Sequence, residues 1–252
     1  MRISSNTIFI TGGSSGIGQG LAEAFHKLGN QVIISGRRKR ELEAVCARSP
    51  GMRHYVLDVS DPKAIRAVAH QVIQEFPDLN CVFNNAGLQK AMDVSGASEL
   101  DEPALLEEVH VNLLGIIRVA SAFLPHLRQQ ENAVLVNVSS GLAFVPLARF
   151  PVYCATKAAT HSYTLSLRRQ LSGFRVKVIE LIPPYVATNL GGSTKRASNP
   201  DGPQPMPVST FIAETMKQLA GDADEIAIGN AQKLLAAYGL ESIKKALAAM
   251  NQ

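Results

Sequence analysis

The chain has 252 residues, 46% of them hydrophobic and 18% charged, with a formal net charge of +4 and a pI near 9.0. Most basic residues alternate with acids and there is no tryptophan, so no basic stripe with stacking aromatics marks a nucleic-acid partner. Cys46, Cys81 and Cys154 are too widely spaced for a zinc site or a disulfide framework, which fits a reducing, cytoplasmic setting with no metal.

Hydrophobic periodicity alternates between strand and helix along the chain. Thr7–Ile10 reads as a first strand rather than a signal peptide, and Ile17, Leu21, Phe25 and Leu28 then repeat at helical spacing. Strand 31–34 follows, then a helix through Leu42 and Val45, strand 55–57 and a helix over 62–76. Strand 81–83 precedes a long helix over 101–128, with Asp101 as N-cap, Pro103 in the first turn and Pro125 expected to bend its far end. Strand 133–138, helix 152–171, strand 176–181, a helix near 209–220, strand 225–228 and helical residues to the end complete the order. No apolar stretch is expected to reach the roughly 20 residues that span a bilayer.

Apolar strands separated by helices predict an α/β fold, a doubly wound parallel sheet of about seven strands with helices on both faces. A single Rossmann-like domain over 1–252 is expected. The Gly-, Ser- and Pro-rich stretch 190–208 is long for an irregular segment in a compact domain, and predicts a flexible substrate lid.

The turn after the first strand reads T-G-G-S-S-G-I-G, residues 11–18, and opens a helix. Glycines let the backbone approach a pyrophosphate, and the free N–H groups of the helix start bind the anion. The same residues fit a G-x-S-x-G nucleophile elbow, but that elbow needs earlier strands to complete an oxyanion hole, and only one precedes it here. After the second strand there is no acid to bind a ribose 2′-hydroxyl. Arg37 and Arg38 stand there instead, two guanidiniums that suit a 2′-phosphate, so NADP(H) is expected over NAD(H).

Farther on, V-Y-C-A-T-K places Tyr153 one helical turn before Lys157. With T-G-x-x-x-G-x-G at Thr11, Gly12, Gly16 and Gly18, N-N-A-G at 84–87, Asp58 after the third strand, Asn112 in H-V-N, and Ser140 ahead of Tyr153, the chain resembles a short-chain dehydrogenase/reductase of the roughly 250-residue type. The likeness runs from about residue 7 to 190.

That resemblance implies a hydride transfer between nicotinamide and a ketone or secondary alcohol. Tyr153 would be the general acid/base and Lys157 the charge that tunes it and the binder of the nicotinamide ribose. Ser140 would donate to the substrate oxygen, and Asn112 would hold a relay water. Moving a phenol's pKa by about three units requires roughly 4 kcal/mol of preference for the phenolate, for which a lysine one turn away and the cationic, oxidised nicotinamide both have the right sign. The cofactor set it implies is Gly12, Ser14, Ser15, Gly16, Ile17, Gly18, Arg37, Arg38, Asp58, Val59, Asn85, Ala86, Gly87, Tyr153, Lys157, Pro183, Val186 and Thr188.

Two departures stand out. Pro183-Pro184 replaces the family's Pro-Gly, and no Asp-Gly-Gly lies near the C-terminus; both traits resemble the DltE-like oxidoreductases. Helices 101–128 and 152–171 are, by resemblance, the homodimer face. Substrate choice is expected in 88–99, 141–151 and 190–208, where Leu142, Phe144, Val145, Leu147 and Phe150 favour an apolar carbonyl or alcohol and Arg149 an anionic one. The alternative reading is an NADP(H)-binding redox-sensing or regulatory protein with little turnover.

Overall fold

The computed structural model describes residues 1–190 and 204–237. Its strands are β1 Thr7–Thr11, β2 Gln31–Gly36, β3 Arg53–Val56, β4 Leu79–Asn84, β5 Ala133–Val138, β6 Val176–Ile182 and β7 Glu225–Ala227. They form one parallel sheet in the order β3-β2-β1-β4-β5-β6-β7. The helices are α1 Gly16–Lys27, α2 Lys39–Arg48, α3 Pro62–Glu75, α4 Glu102–Val109, α5 Gly115–Leu127, α6 Pro151–Gln170, α7 Val208–Leu219 and α8 Asn230–Ala237.

Alternation along the strands divides the core in two. Ile8 and Ile10 pack with Leu21 and Phe25 of α1, Leu42 of α2 and Phe211 of α7. Phe9 points the other way, into a cluster with Ile65 of α3, Phe123 of α5 and Leu167 of α6, and its ring lies 4.9 Å from that of Phe123. Helices therefore cover both faces, as a doubly wound sheet requires. The strand order reverses direction between β1 and β4, and a crevice at such a switch point is where ligands bind in open α/β sheets.

Three sequence expectations need correction. The third strand occupies Arg53–Val56 rather than 55–57. It is an edge strand whose partner β2 sets its register, so its polar residues face solvent without penalty. The long helix over 101–128 is interrupted. Asp101 does cap it, accepting from Ala104 N at 3.0 Å, but a π-helical turn over His110–Leu114 separates α4 from α5. Among the described residues, Glu102–Leu127 is also long and apolar enough to cross a membrane by length and composition. Its apolar face, with Ile116, Val119, Phe123 and Leu127, is spent on the protein core, and buried Glu108 and Asn112 interrupt it.

Most of the expected lid, 190–208, lies outside the described residues. Its C-terminal end is anchored: Met206 N donates to Tyr185 O at 2.8 Å and Ala187 N donates to Met206 O at 2.9 Å.

Candidate active site

The site forms where β1, β4, β5 and β6 end. Thr11 closes β1 and joins two motifs. Its hydroxyl donates to Phe83 O at 3.2 Å and accepts from Asn85 N and Ala86 N, both at 3.0 Å. Asn85 returns a side-chain N–H to Thr11 O at 2.9 Å. The N-N-A-G segment is thus bonded directly to the glycine-rich turn.

That turn is tight. Gly12 and Gly16 adopt positive φ of 69° and 57°, and a Cβ on Gly18 would lie 2.3 Å from Gly12 O. Only glycine fits such backbone. Ser15 precedes the first helical residue, and Ile17 packs partly into the core. Thr188 lies against Gly16, its methyl 3.1 Å from where a Cβ would stand, so the segment after β6 closes over the turn. In that segment Pro183 O accepts from Gly141 N at 2.9 Å and Val186 is buried in the core.

The two arginines take different places. Arg38 Nη2 donates to Ser14 Oγ at 3.1 Å and Ser15 Oγ at 2.9 Å, beside the N-terminus of α1. Arg37 turns to Glu107, with Nη1 3.0 Å from Oε1, and Glu107 in turn accepts from Lys90 Nζ at 2.6 Å. Hydroxyls, a guanidinium and a helix start converging on one turn make a donor set that fits a phosphate-bearing nucleotide. At the end of β3, Asp58 accepts from Ser60 N and Oγ, fixing the loop that includes Val59.

Tyr153 and Lys157 are both buried on α6, with Lys157 Nζ 5.7 Å from the centre of the tyrosine ring. Ser140 follows β5, where its hydroxyl caps a short 3-10 turn by accepting from Leu142 N at 3.1 Å and also meets the Tyr153 phenol. Lys157 Nζ donates to Val138 O at 2.9 Å. A Cβ on Gly87 would stand 3.7 Å from Lys157 Nζ and 3.3 Å from Asn112 Oδ1, so Asn112, Gly87 and Lys157 meet at one point. The expected tetrad is assembled.

Asn112 is more occupied than a water-holding role would need. Its Oδ1 accepts from Leu88 N at 2.9 Å, and its Nδ2 donates to Leu88 O at 2.8 Å and Thr156 Oγ1 at 3.2 Å. The side chain acts as a strand-like partner for the loop after β4. It sits in the π turn, a feature that recurs at functional sites because it redirects side chains and backbone carbonyls.

Burial dominates the electrostatics. It pushes Tyr153 up to about 12 against the pull of the Ser140 hydroxyl. It pushes Lys157 down to about 8, against the opposing attraction of Glu108 and Glu180. In the protein itself burial is the larger effect on the phenol, whereas the expected lowering draws on Lys157 together with an oxidised nicotinamide. Burial also raises the Cys154 thiol, so that side chain stays protonated, accepting from Leu147 N.

The sequence reading missed Glu108, Glu180 and His161. Glu180 is fully buried between Ser139 Oγ, at 2.5 Å, and His161 Nδ1, at 2.7 Å. The signal was an acid inside the apolar strand V-K-V-I-E-L-I. Of the residues expected to choose substrate, Leu142 and Phe150 pack with Tyr153 and Cys154. Phe144 instead joins Ile182 and Ala231, edge-on to His161 at 4.8 Å.

Comparison with known proteins gives the family and the fold. The family model described as short chain dehydrogenase matches residues 6–199. Over 196 residues the chain is 43% identical to the oxidoreductase DltE of Bacillus subtilis, covering 77% of each. A short-chain dehydrogenase of Burkholderia cenocepacia, solved in complex with NADP, superposes with a TM-score of 0.81 at 28% identity, covering 99% of this chain and 98% of the other. One from Burkholderia phymatum, solved with NAD, has the same fold at a TM-score of 0.82 and 21% identity over 98% and 97% of the two chains.

Proposed function

The chain belongs to the short-chain dehydrogenase family, and from that premise we propose that it is an NADP(H)-dependent oxidoreductase acting on a ketone or secondary alcohol. The observation that carries the reading is the buried Tyr153–Lys157 pair, set against Ser140 at the end of β5 and beside Gly87, whose N-N-A-G segment is bonded to the glycine-rich turn. Binding alone would not require a tyrosine and a serine hydroxyl on one buried point, which disfavours a purely regulatory protein.

NADPH, when bound, supplies the hydride. Gly12 to Gly18 would hold its pyrophosphate, with Asp58 and Val59 toward the adenine side. Asn85, Ala86, Gly87, Pro183, Val186 and Thr188 would line the nicotinamide side. Arg38 supports the preference for NADP(H), because it stands with Ser14 and Ser15 where a 2′-phosphate could accept from all three.

In reduction, Ser140 donates to the carbonyl oxygen, and Tyr153 transfers its phenolic proton to that oxygen as negative charge develops there. A buried phenol with a high pKa keeps its proton until this moment. Lys157, when protonated, stabilises the phenolate left behind. Asn112 holds Leu88 and so sets the wall of the cleft.

Helices 101–128 and 152–171 are the proposed homodimer face, and Leu105, Val109, Leu113, Val152 and Ala159 line an apolar groove between α4, the π turn and α6. Three free cysteines suit the cytoplasm.

The test is turnover of a carbonyl panel with NADPH and with NADH, alongside Tyr153→Phe. Losing the general acid should lower kcat by about 100- to 10,000-fold on every active substrate. Equal rates in wild type and variant would sink the assignment.

A further inference from the structure

Lys157 is an ammonium with no exposed surface to speak of, on a helix whose last turn is basic rather than acidic. A buried charge of this kind needs partners or it gives up its proton. Its one hydrogen bond among the described contacts goes to a neutral carbonyl, Val138 O. Two buried glutamates nevertheless bond segments that adjoin the lysine, and the mechanism above uses neither.

Glu180 comes from β6. Its two oxygens are taken by Ser139 and His161, and both partners adjoin the lysine. Ser139 is the residue after Val138, and His161 is one helical turn beyond Lys157, on the row Tyr153–Lys157–His161. Glu108 comes from α4, one turn before Asn112. Its Oε1 accepts from Lys90 N at 3.1 Å, and its Oε2 is buried with no hydrogen-bond partner among the described residues. Asn112 and Glu108 together grip residues 88–90, the continuation of Gly87, beside which Lys157 Nζ lies.

We propose that Glu108 and Glu180 are positioning residues for Lys157, two buried carboxylates that keep the lysine charged in a dry site and anchor the two segments it touches. The proposal rests on the oxidoreductase reading for its catalytic consequence, but its electrostatic part does not.

The surrounding charges set how it depends on pH. Lys157 faces Glu108 and Glu180. Glu108 faces Lys90, Lys157 and Glu107, and burial raises its own pKa. His161 faces Glu180 first, then Glu225 and Arg168, and Glu180 raises its pKa. While His161 holds its proton it offsets the charge of Glu180. Once His161 releases that proton, Glu180 bears fully on Lys157.

The experiment labels the full-length protein with lysine carrying 13C at Cε and follows Lys157 by NMR titration, the resonance assigned by its absence in Lys157→Arg. Wild type should titrate near pH 8. Glu108→Gln and Glu180→Gln should each lower that midpoint by about one pH unit, and the double variant by more. The alkaline limb of carbonyl reduction should move in step. Two sites are tested, so a variant that fails to fold by circular dichroism leaves the other to decide. A Lys157 midpoint unchanged in every folded variant overturns the proposal. A lowered midpoint in an enzyme whose wild type reduces no carbonyl supports the electrostatics and removes the oxidoreductase reading instead.

Discussion

Lys157 donates to the carbonyl oxygen of Val138 across 2.9 Å, so the lysine facing the tyrosine also holds α6 against the end of β5. The proposed catalytic role and local stability share one side chain, and the stability part can be read by pH. Burial lowers the lysine to about 8, below its value in an unfolded chain. Between the two values the unfolded state binds more protons, so stability from this group rises as pH climbs through 8 toward 10. Lys157→Met abolishes that rise. In urea melts, the stability of Lys157→Met relative to wild type should fall by about 2–3 kcal/mol from pH 7 to pH 10. A constant difference would mean the lysine is not titrating in the folded protein.

The contrast between Arg37 and Arg38 predicts a ranking. Arg38 sits on Ser14 and Ser15, while Arg37 is engaged by Glu107. Arg38→Ala should weaken NADPH binding by roughly 10- to 100-fold, the loss of a charged hydrogen bond, and leave NADH nearly unchanged. Arg37→Ala should have the smaller effect. Fluorescence titration with both nucleotides checks it, and equal losses for NADH and NADPH would remove the 2′-phosphate role.

Asn112 gives a test of structure against chemistry. Asn112→Ala leaves Leu88 N and O without their side-chain partner, and unpaired polar groups cost about 1–3 kcal/mol each. The variant should therefore lose at least about 2 kcal/mol in denaturant melts, as well as turnover. Asn112→Asp keeps the acceptor for Leu88 N and should recover part of the stability. A fully stable Asn112→Ala would assign the residue to the proton path alone.

Gly18→Ala sets two magnitudes against each other. Alanine is favoured in a helix by about 1 kcal/mol, whereas overpacking costs about 1–3 kcal/mol. The new methyl would meet Gly12 O at 2.3 Å and Asn85 Nδ2 at 2.4 Å. One of these is backbone and cannot swing aside, so overpacking wins. The melting temperature should drop by a few degrees, with nucleotide affinity falling too because the turn itself must shift.

What could be read in advance followed from contacts local in sequence. Asp101 as a cap, the apolar strands and the Tyr–Lys spacing all declare themselves within a few residues. The π turn at His110–Leu114 did not, because periodicity at 3.6 residues registers the buried face and passes over one extra residue in a turn. The acid–histidine pair was hidden for another reason. Glu180 and His161 lie 19 residues apart, and Ser139 lies 41 from Glu180, so only the β5–β6 pairing and the crossing of α6 bring them together. Arg37 and Arg38 are adjacent in sequence, yet the start of α2 sends them to different partners.

Helix α1 begins G-I-G-Q-G, with Gly16, Gly18 and Gly20 in its first five residues. Each interior glycine forfeits about 1 kcal/mol of helicity relative to alanine, and a Cβ at Gly20 would strike Ile212 of α7 at 2.7 Å. Such a segment does not coil by itself. It winds only against β1, β2 and α7, which come from sequence positions as distant as 208–219, and nonlocal closure of this kind is slow. The glycine-rich start of α1 is therefore held in shape by the assembled sheet and α7 rather than by its own helical propensity.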